Sequence, residues 1–239
     1  MSPEMAELAP LAAAWFVVFV FSTTLHEAAH AWAALRLGDP TAYLGGQVSL
    51  NPGPHIAREP FGMVVVPLLS FFLLTGGNWM IGWASAPYDP TWAERHPRRS
   101  AWMALAGPVS NLLLVLLSGL AIRVGLATGY FVPPEVATTF TDAVVAPGTG
   151  AGAQGVATIL AVTFLLNLVL FLFNLLPLPP MDGSAVVQLF LSRNAALAYQ
   201  SFLRQPMWAF VGLLLAWRIF GALFAPLFGF SIGLLYIGV

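Results

Sequence analysis

From Leu8 to Leu35 the chain reads LAPLAAAWFVVFVFSTTLHEAAHAWAAL, long and apolar enough to cross a bilayer, yet carrying two histidines and a glutamate. A spanning helix needs ~20 mostly apolar residues. Four more such runs follow, at about 61–83, 101–127, 153–176 and 207–225, the last expected to break at Pro226 and then continue almost to Val239. Runs of this length and apolarity read as spanning helices. The expected fold class is therefore an all-α polytopic membrane protein, a single integral-membrane domain over residues 1–239. Composition agrees, with 59% hydrophobic and 8% charged residues and a mean hydropathy of +0.82. A net charge of −1 leaves no footprint for nucleic acid. The absence of cysteine removes disulfides, thiolate ligands and cysteine nucleophiles. The opening MSPEMAELAP is acidic and lacks a basic stretch, so the first run is expected to stay as a helix rather than be cleaved.

The costly residues have a spacing. His26, Glu27 and His30 form H-E-x-x-H. Residues four apart on a helix share one face, so both imidazoles can reach one zinc ion, and Glu27 stands beside them to act on a bound water. The competing reading is polar packing between helices, but ionisable groups inside a spanning helix are expensive and usually functional. Zinc then needs a third protein ligand and an open position. His55, His96, Asp39, Asp89, Glu94, Glu135 and Asp142 all fall in connecting stretches. Asp182 differs, because it follows the fourth run in FNLLPLPPMDGS. Pro177, Pro179 and Pro180 forbid a regular helix there, and Gly183 permits a sharp turn. Considered alone, Asp182 has a competing reading as a cap on the next helix. Together with the His-Glu helix it reads as the third ligand.

HEAAH, the AGPVSN stretch from Ala106 and the NLLPLPPMDG stretch from Asn174 together resemble the site-2 protease family of intramembrane zinc metalloproteases, peptidase family M50. The resemblance covers roughly residues 8–35 and 101–200. It implies a three-helix catalytic core with Zn2+ on His26, His30 and Asp182, Glu27 as general base, and cleavage of substrate helices within the membrane. Residues 36–100 are similar to loops of the compact bacterial members, and no PDZ or CBS domain is expected.

Coordination fixes the topology. The motif lies near the C-terminal end of the first run and Asp182 just beyond that of the fourth. For both to meet one metal, the crossings between them must be even in number. The third and fourth runs supply two, so the second, with Pro67 and Gly76-Gly77-Asn78, is expected to be re-entrant. Loops 36–60, 84–100 and 177–205 then share one side and hold Arg36, Arg58, Arg95, Arg98, Arg99, Arg193 and Arg204 out of nine basic residues. The positive-inside rule makes that side cytoplasmic. The expected location is the bacterial cytoplasmic membrane.

Chemistry in this setting asks for further parts. Asn174, polar in an apolar run, is the candidate for binding substrate or stabilising the oxyanion, against an interhelical hydrogen bond. Asn111, Gly107 and Pro108 read as packing residues. A helical substrate must unwind, and Gly45 to Asn51 is the expected strand edge to receive it. The expected partners are single-span membrane proteins and the lipid bilayer. The alternatives are a zinc transporter, which would need further intramembrane metal-ligating residues along a path beyond this cluster, and a non-catalytic zinc- or substrate-binding relative, against which Glu27 argues.

Overall fold

Lipid offers the backbone no hydrogen-bond partner, and the apolar runs accordingly form helices. The computed structural model describes residues 3–135, 139–142, 144–148 and 152–238, with side chains from Leu8 onward. Its long helices are α1 (Pro3–Leu37), α2 (Pro97–Ala127), α3 (Ala153–Asn174) and α4 (Pro206–Leu235). All four carry windows apolar enough to cross a membrane. The chain is a multi-pass integral membrane protein.

Helices in lipid gain little from hydrophobic association, so close contact depends on small side chains and polar bonds. The three core helices follow that rule. Ala31 and Ala34 of α1, Ala101, Ala104 and Gly107 of α2, and Ala153, Ala157 and Ala161 of α3 are all buried. Trp15, Phe19, Ile122, Phe164 and Leu165 fill the remaining interior. Arg99, near the start of α2, donates to the Leu37 carbonyl at the end of α1 (3.2 Å), so these helices are antiparallel. Asn167 of α3 reaches Ser22 of α1 while Asp182, beyond the end of α3, reaches His26, so α3 runs with α1. The C-terminal ends of α1 and α3 therefore share one end of the bundle. At the other end, Arg123 donates to the carbonyls of Leu234, Leu235 and Ile237 and closes α4. A two-residue pairing of β1 (Phe131–Val132) with β2 (Ala146–Pro147) lies at that end as well.

The second apolar run makes no net crossing. Phe61–Leu74 is a helix bent by 111° from the short helix Pro52–Arg58. It carries wide π-helical turns on both sides of Pro67. The chain reverses at Gly76 and Gly77, whose φ values of 60° and 87° suit glycine alone. It then returns extended along the same helix, and the Trp83 amide donates to the Gly62 carbonyl at 3.1 Å. The re-entrant path required by coordination is the one the chain takes.

Two expectations need correction. Gly45 to Asn51 forms no strand. Gly46 and Gln47 donate to the carbonyls of Tyr43 and Ala42, and His55 Nε2 donates to the Ser49 carbonyl. Asn51 caps the helix Pro52–Arg58. Local turn chemistry uses the groups that a strand would have left for a partner. The second correction concerns Pro226, where a break was expected, because α4 continues through it to Leu235. One proline costs one helical hydrogen bond, whereas a break in lipid would expose several groups.

Candidate metal centre

Helical spacing brings His26 and His30 to one face of α1, with ring centroids 4.6 Å apart and nearly perpendicular. The proline-rich bend after α3 does the rest. Leu175 and Leu176 make the last turn, and Gly183 packs so closely on their carbonyls that a Cβ there would lie 2.3 Å from the Leu175 oxygen. This turns Asp182, first residue of the helix Asp182–Val186, back towards α1. Its carboxylate makes no cap. Oδ2 lies 3.1 Å from His26 Nε2 and 3.3 Å from His30 Nε2, and the two Nε2 atoms are 3.0 Å apart. Three donors of one tetrahedral zinc, each ~2.0–2.1 Å from the ion, sit ~3.3 Å from one another. The triangle has the size of a metal site.

The hydrogen bonds behind the rings fix its electronic character. Asn167 Nδ2 donates to the Thr163 carbonyl (2.8 Å), which can only accept, and to Ser22 Oγ (2.9 Å). Asn167 Oδ1 must therefore accept from Asn111 Nδ2 (2.8 Å). Asn111 Oδ1 is left facing His26 Nδ1 at 2.5 Å, so that nitrogen carries the proton. His30 Nδ1 faces the Met103 carbonyl at 2.8 Å and must also donate. In neutral imidazoles both Nε2 lone pairs then point at each other and at a carboxylate oxygen. Such a cluster of electron pairs is suited to receive a cation. Outer hydrogen bonds of this kind set the tautomer and basicity of metal-ligating histidines.

Space has been left for the ion. A Cβ on Gly107 of α2 would lie 2.3 Å from His30 Nε2 and 2.5 Å from His26 Nε2. Any side chain there would occupy the gap between the donors. Gly107 is thus more than the packing residue expected of it. Among the described residues, His26, His30 and Asp182 form the one group of three suited to hold a metal.

Glu27 is 7% exposed, and its carboxylate has no partner among the described residues. It lines a cavity of ≈ 420 Å³ together with His30, Asp182, Ser85 and Tyr88. Four of the five expected site residues thus converge. The fifth, Asn174, does not join them, since its amide donates to the Leu170 carbonyl of its own helix at 3.0 Å. Asn111, read as a packing residue, orients His26. Asn167 and Ser22 were not anticipated, although a lone polar residue inside an apolar run is the same signal that drew attention to Asn174.

Fold and site define a polytopic membrane protein with a buried two-histidine, one-carboxylate centre beside a free glutamate. The chain belongs to peptidase family M50, whose family model matches residues 14–217. It is 32% identical over 173 residues to the Bacillus subtilis protein named "Putative zinc metalloprotease YwhC", an overlap of 72% of this chain and 66% of that one. It is 32% identical over 176 residues to "Putative zinc metalloprotease Rip2" of Mycobacterium tuberculosis H37Rv, covering 74% of this chain and 55% of the relative. The chain thus spans between about half and two thirds of these relatives' lengths. No solved structure matches it significantly.

Proposed function

We propose that this chain is a zinc metalloprotease that hydrolyses peptide bonds within transmembrane helices of single-span proteins, in regulated intramembrane proteolysis. It acts in the bacterial cytoplasmic membrane with its active site towards the cytoplasm. The observation that carries the reading is the triangle of His26 Nε2, His30 Nε2 and Asp182 Oδ2 beside the unpartnered Glu27 in one cavity. Held by those three residues, Zn2+ supplies Lewis acidity and an activated water near neutral pH. Asn111 and Met103 hold the two imidazoles in orientation. Glu27 takes a proton from the attacking water on its carboxylate and returns it to the leaving amine nitrogen. The arginines gathered at this end support the cytoplasmic orientation.

Substrate has a place to unwind. In the returning limb, Trp79 and Ile81 bond to the hydroxyls of Thr75 and Ser70, and Trp83 bonds to Gly62. Alternate residues of an extended chain face the other way. The backbone of Met80, Gly82 and Ala84 has no partner among the described residues, and Ala84 and Ala86 line the metal cavity. This limb, rather than Gly45 to Asn51, is the edge on which an unwound substrate would pair.

The test is Glu27→Gln, co-expressed with a single-span substrate. Zinc content should stay at about one ion per chain while cleavage falls by ~10²–10⁴-fold. Normal cleavage by the variant would refute the assignment, and a metal transporter would retain flux.

A further inference from the structure

A second cavity, of ≈ 370 Å³, lies against the start of α2 and shares only Gln188 with the metal cavity. Arg95, Arg98, Arg99 and Arg193 line it with His96, and no carboxylate does. This places four of the chain's nine basic residues around one hollow. Like charges repel, so such a cluster asks what neutralises it. Arg95 has a partial answer in Asp89, 3.7 Å away. Arg99 donates to the Leu37 carbonyl. Arg98 and Arg193 have no partner among the described residues.

Two further observations point to an anion. His96, at the N-cap of α2, makes no side-chain cap, and the first turn contains no acid. The amides of Arg98 and Arg99 are therefore free at the positive end of a 31-residue helix. Independently, Gln188 is 2% exposed and borders the hollow, with its Oε1 engaged by Gln200 Nε2 at 2.6 Å. Its own amide nitrogen has no partner among the described residues. Guanidinium groups, helix amides and a carboxamide nitrogen are all donors, and forked guanidinium groups match phosphate oxygens.

We propose that this cavity binds the phosphate group of an anionic phospholipid of the cytoplasmic leaflet. On the orientation proposed above, the arginines stand at headgroup level, at the start of a helix long and apolar enough to span. Trp102 on α2 and Phe190 next to the hollow are 56% and 84% exposed, apolar surfaces suited to the adjoining acyl region. Basic pockets between helices on this side of a membrane are sites for anionic headgroups. Because Gln188 borders both cavities, the lipid would also tether the segment that follows Asp182 to α2.

Native mass spectrometry of the full chain in detergent tests this. Phosphatidylglycerol, phosphatidylcholine with the same acyl chains, and inorganic phosphate would be titrated separately. Phosphatidylglycerol should be retained over phosphatidylcholine. The double variant Arg98→Ala/Arg193→Ala should bind phosphatidylglycerol roughly thirty-fold more weakly. Arg218→Ala, in mid-α4, should change nothing. Should the double variant fail to fold, the single exposed change Arg193→Glu must show the same direction. Equal affinity for the two lipids, or unchanged affinity in the variants, would overturn the site. Inorganic phosphate binding as tightly as phosphatidylglycerol would overturn its assignment to a lipid.

Discussion

From His26 through Asn111 and Asn167 to Ser22 and Thr163, each imidazole and amide in the core has a buried partner. From Met80 to Ala84 on the returning limb, every second residue offers backbone groups with no partner among the described residues. These regions lie against each other, with Phe19 of α1 touching the position where a Cβ of Gly82 would stand. The difference separates two tasks. Three helices tied by side-chain hydrogen bonds fix the metal ligands before any substrate arrives. The limb keeps an incomplete hydrogen-bond set at a depth where such groups are expensive. An unwound peptide is the complement that would satisfy it.

The largest effect should come from Gly107→Ala. The added methyl would fall within 2.3–2.5 Å of both Nε2 atoms, and Asn111 and Met103 prevent the rings from yielding. Zinc content should fall from about one ion per chain to background while the circular dichroism remains helical. Full zinc content in this variant would break the reading of the core. Gly62→Ala probes the other region. Its methyl would stand 2.3 Å from the Trp83 carbonyl and push the limb off its helix. Zinc should be retained while cleavage drops on the order of 10²-fold, the cost of misplacing a reactant by about 1 Å. Loss of zinc in both variants would show that core and limb are one unit. Asn167→Leu is the milder test of the core. It leaves the Asn111 amide nitrogen without its buried acceptor and loosens His26. Zinc affinity should fall about 10–100-fold, and thermal unfolding should report a loss of about 1–3 kcal/mol.

Much of the core was legible because its logic is local or arithmetic. The four-residue spacing of His26 and His30 is a property of any helix, and the prolines before Asp182 announce an unwound bend. The re-entrant path follows from an even count of crossings. Asn167 was not legible as a partner of Asn111, because a polar residue in an apolar run says that it needs a bond and not with whom. That choice depends on the rotational register of three helices. The strand edge was sought at Gly45 to Asn51, where glycine and asparagine serve turns. The better signal lay in WMIGWASA, where Trp79, Ile81 and Trp83 alternate with Met80, Gly82 and Ala84. Inside an apolar run that period of two is easily taken for more helix.

The smallest effect should belong to Asn174. An oxyanion donor must aim its N–H at the reacting carbonyl, and its removal typically costs 10²–10³ in rate. Here the amide is engaged by the Leu170 carbonyl one turn earlier, where it satisfies a residue at the end of α3. Recruiting it would require that bond to break and the side chain to swing towards the cavity when substrate binds. Without such a change, Asn174→Ala should slow cleavage by less than about threefold, since only a half-exposed helical hydrogen bond is lost. A hundredfold fall in kcat with zinc content and KM unchanged would instead mean that substrate reorients this residue. The division between a fixed core and an adaptable limb would then have to admit one core side chain that moves.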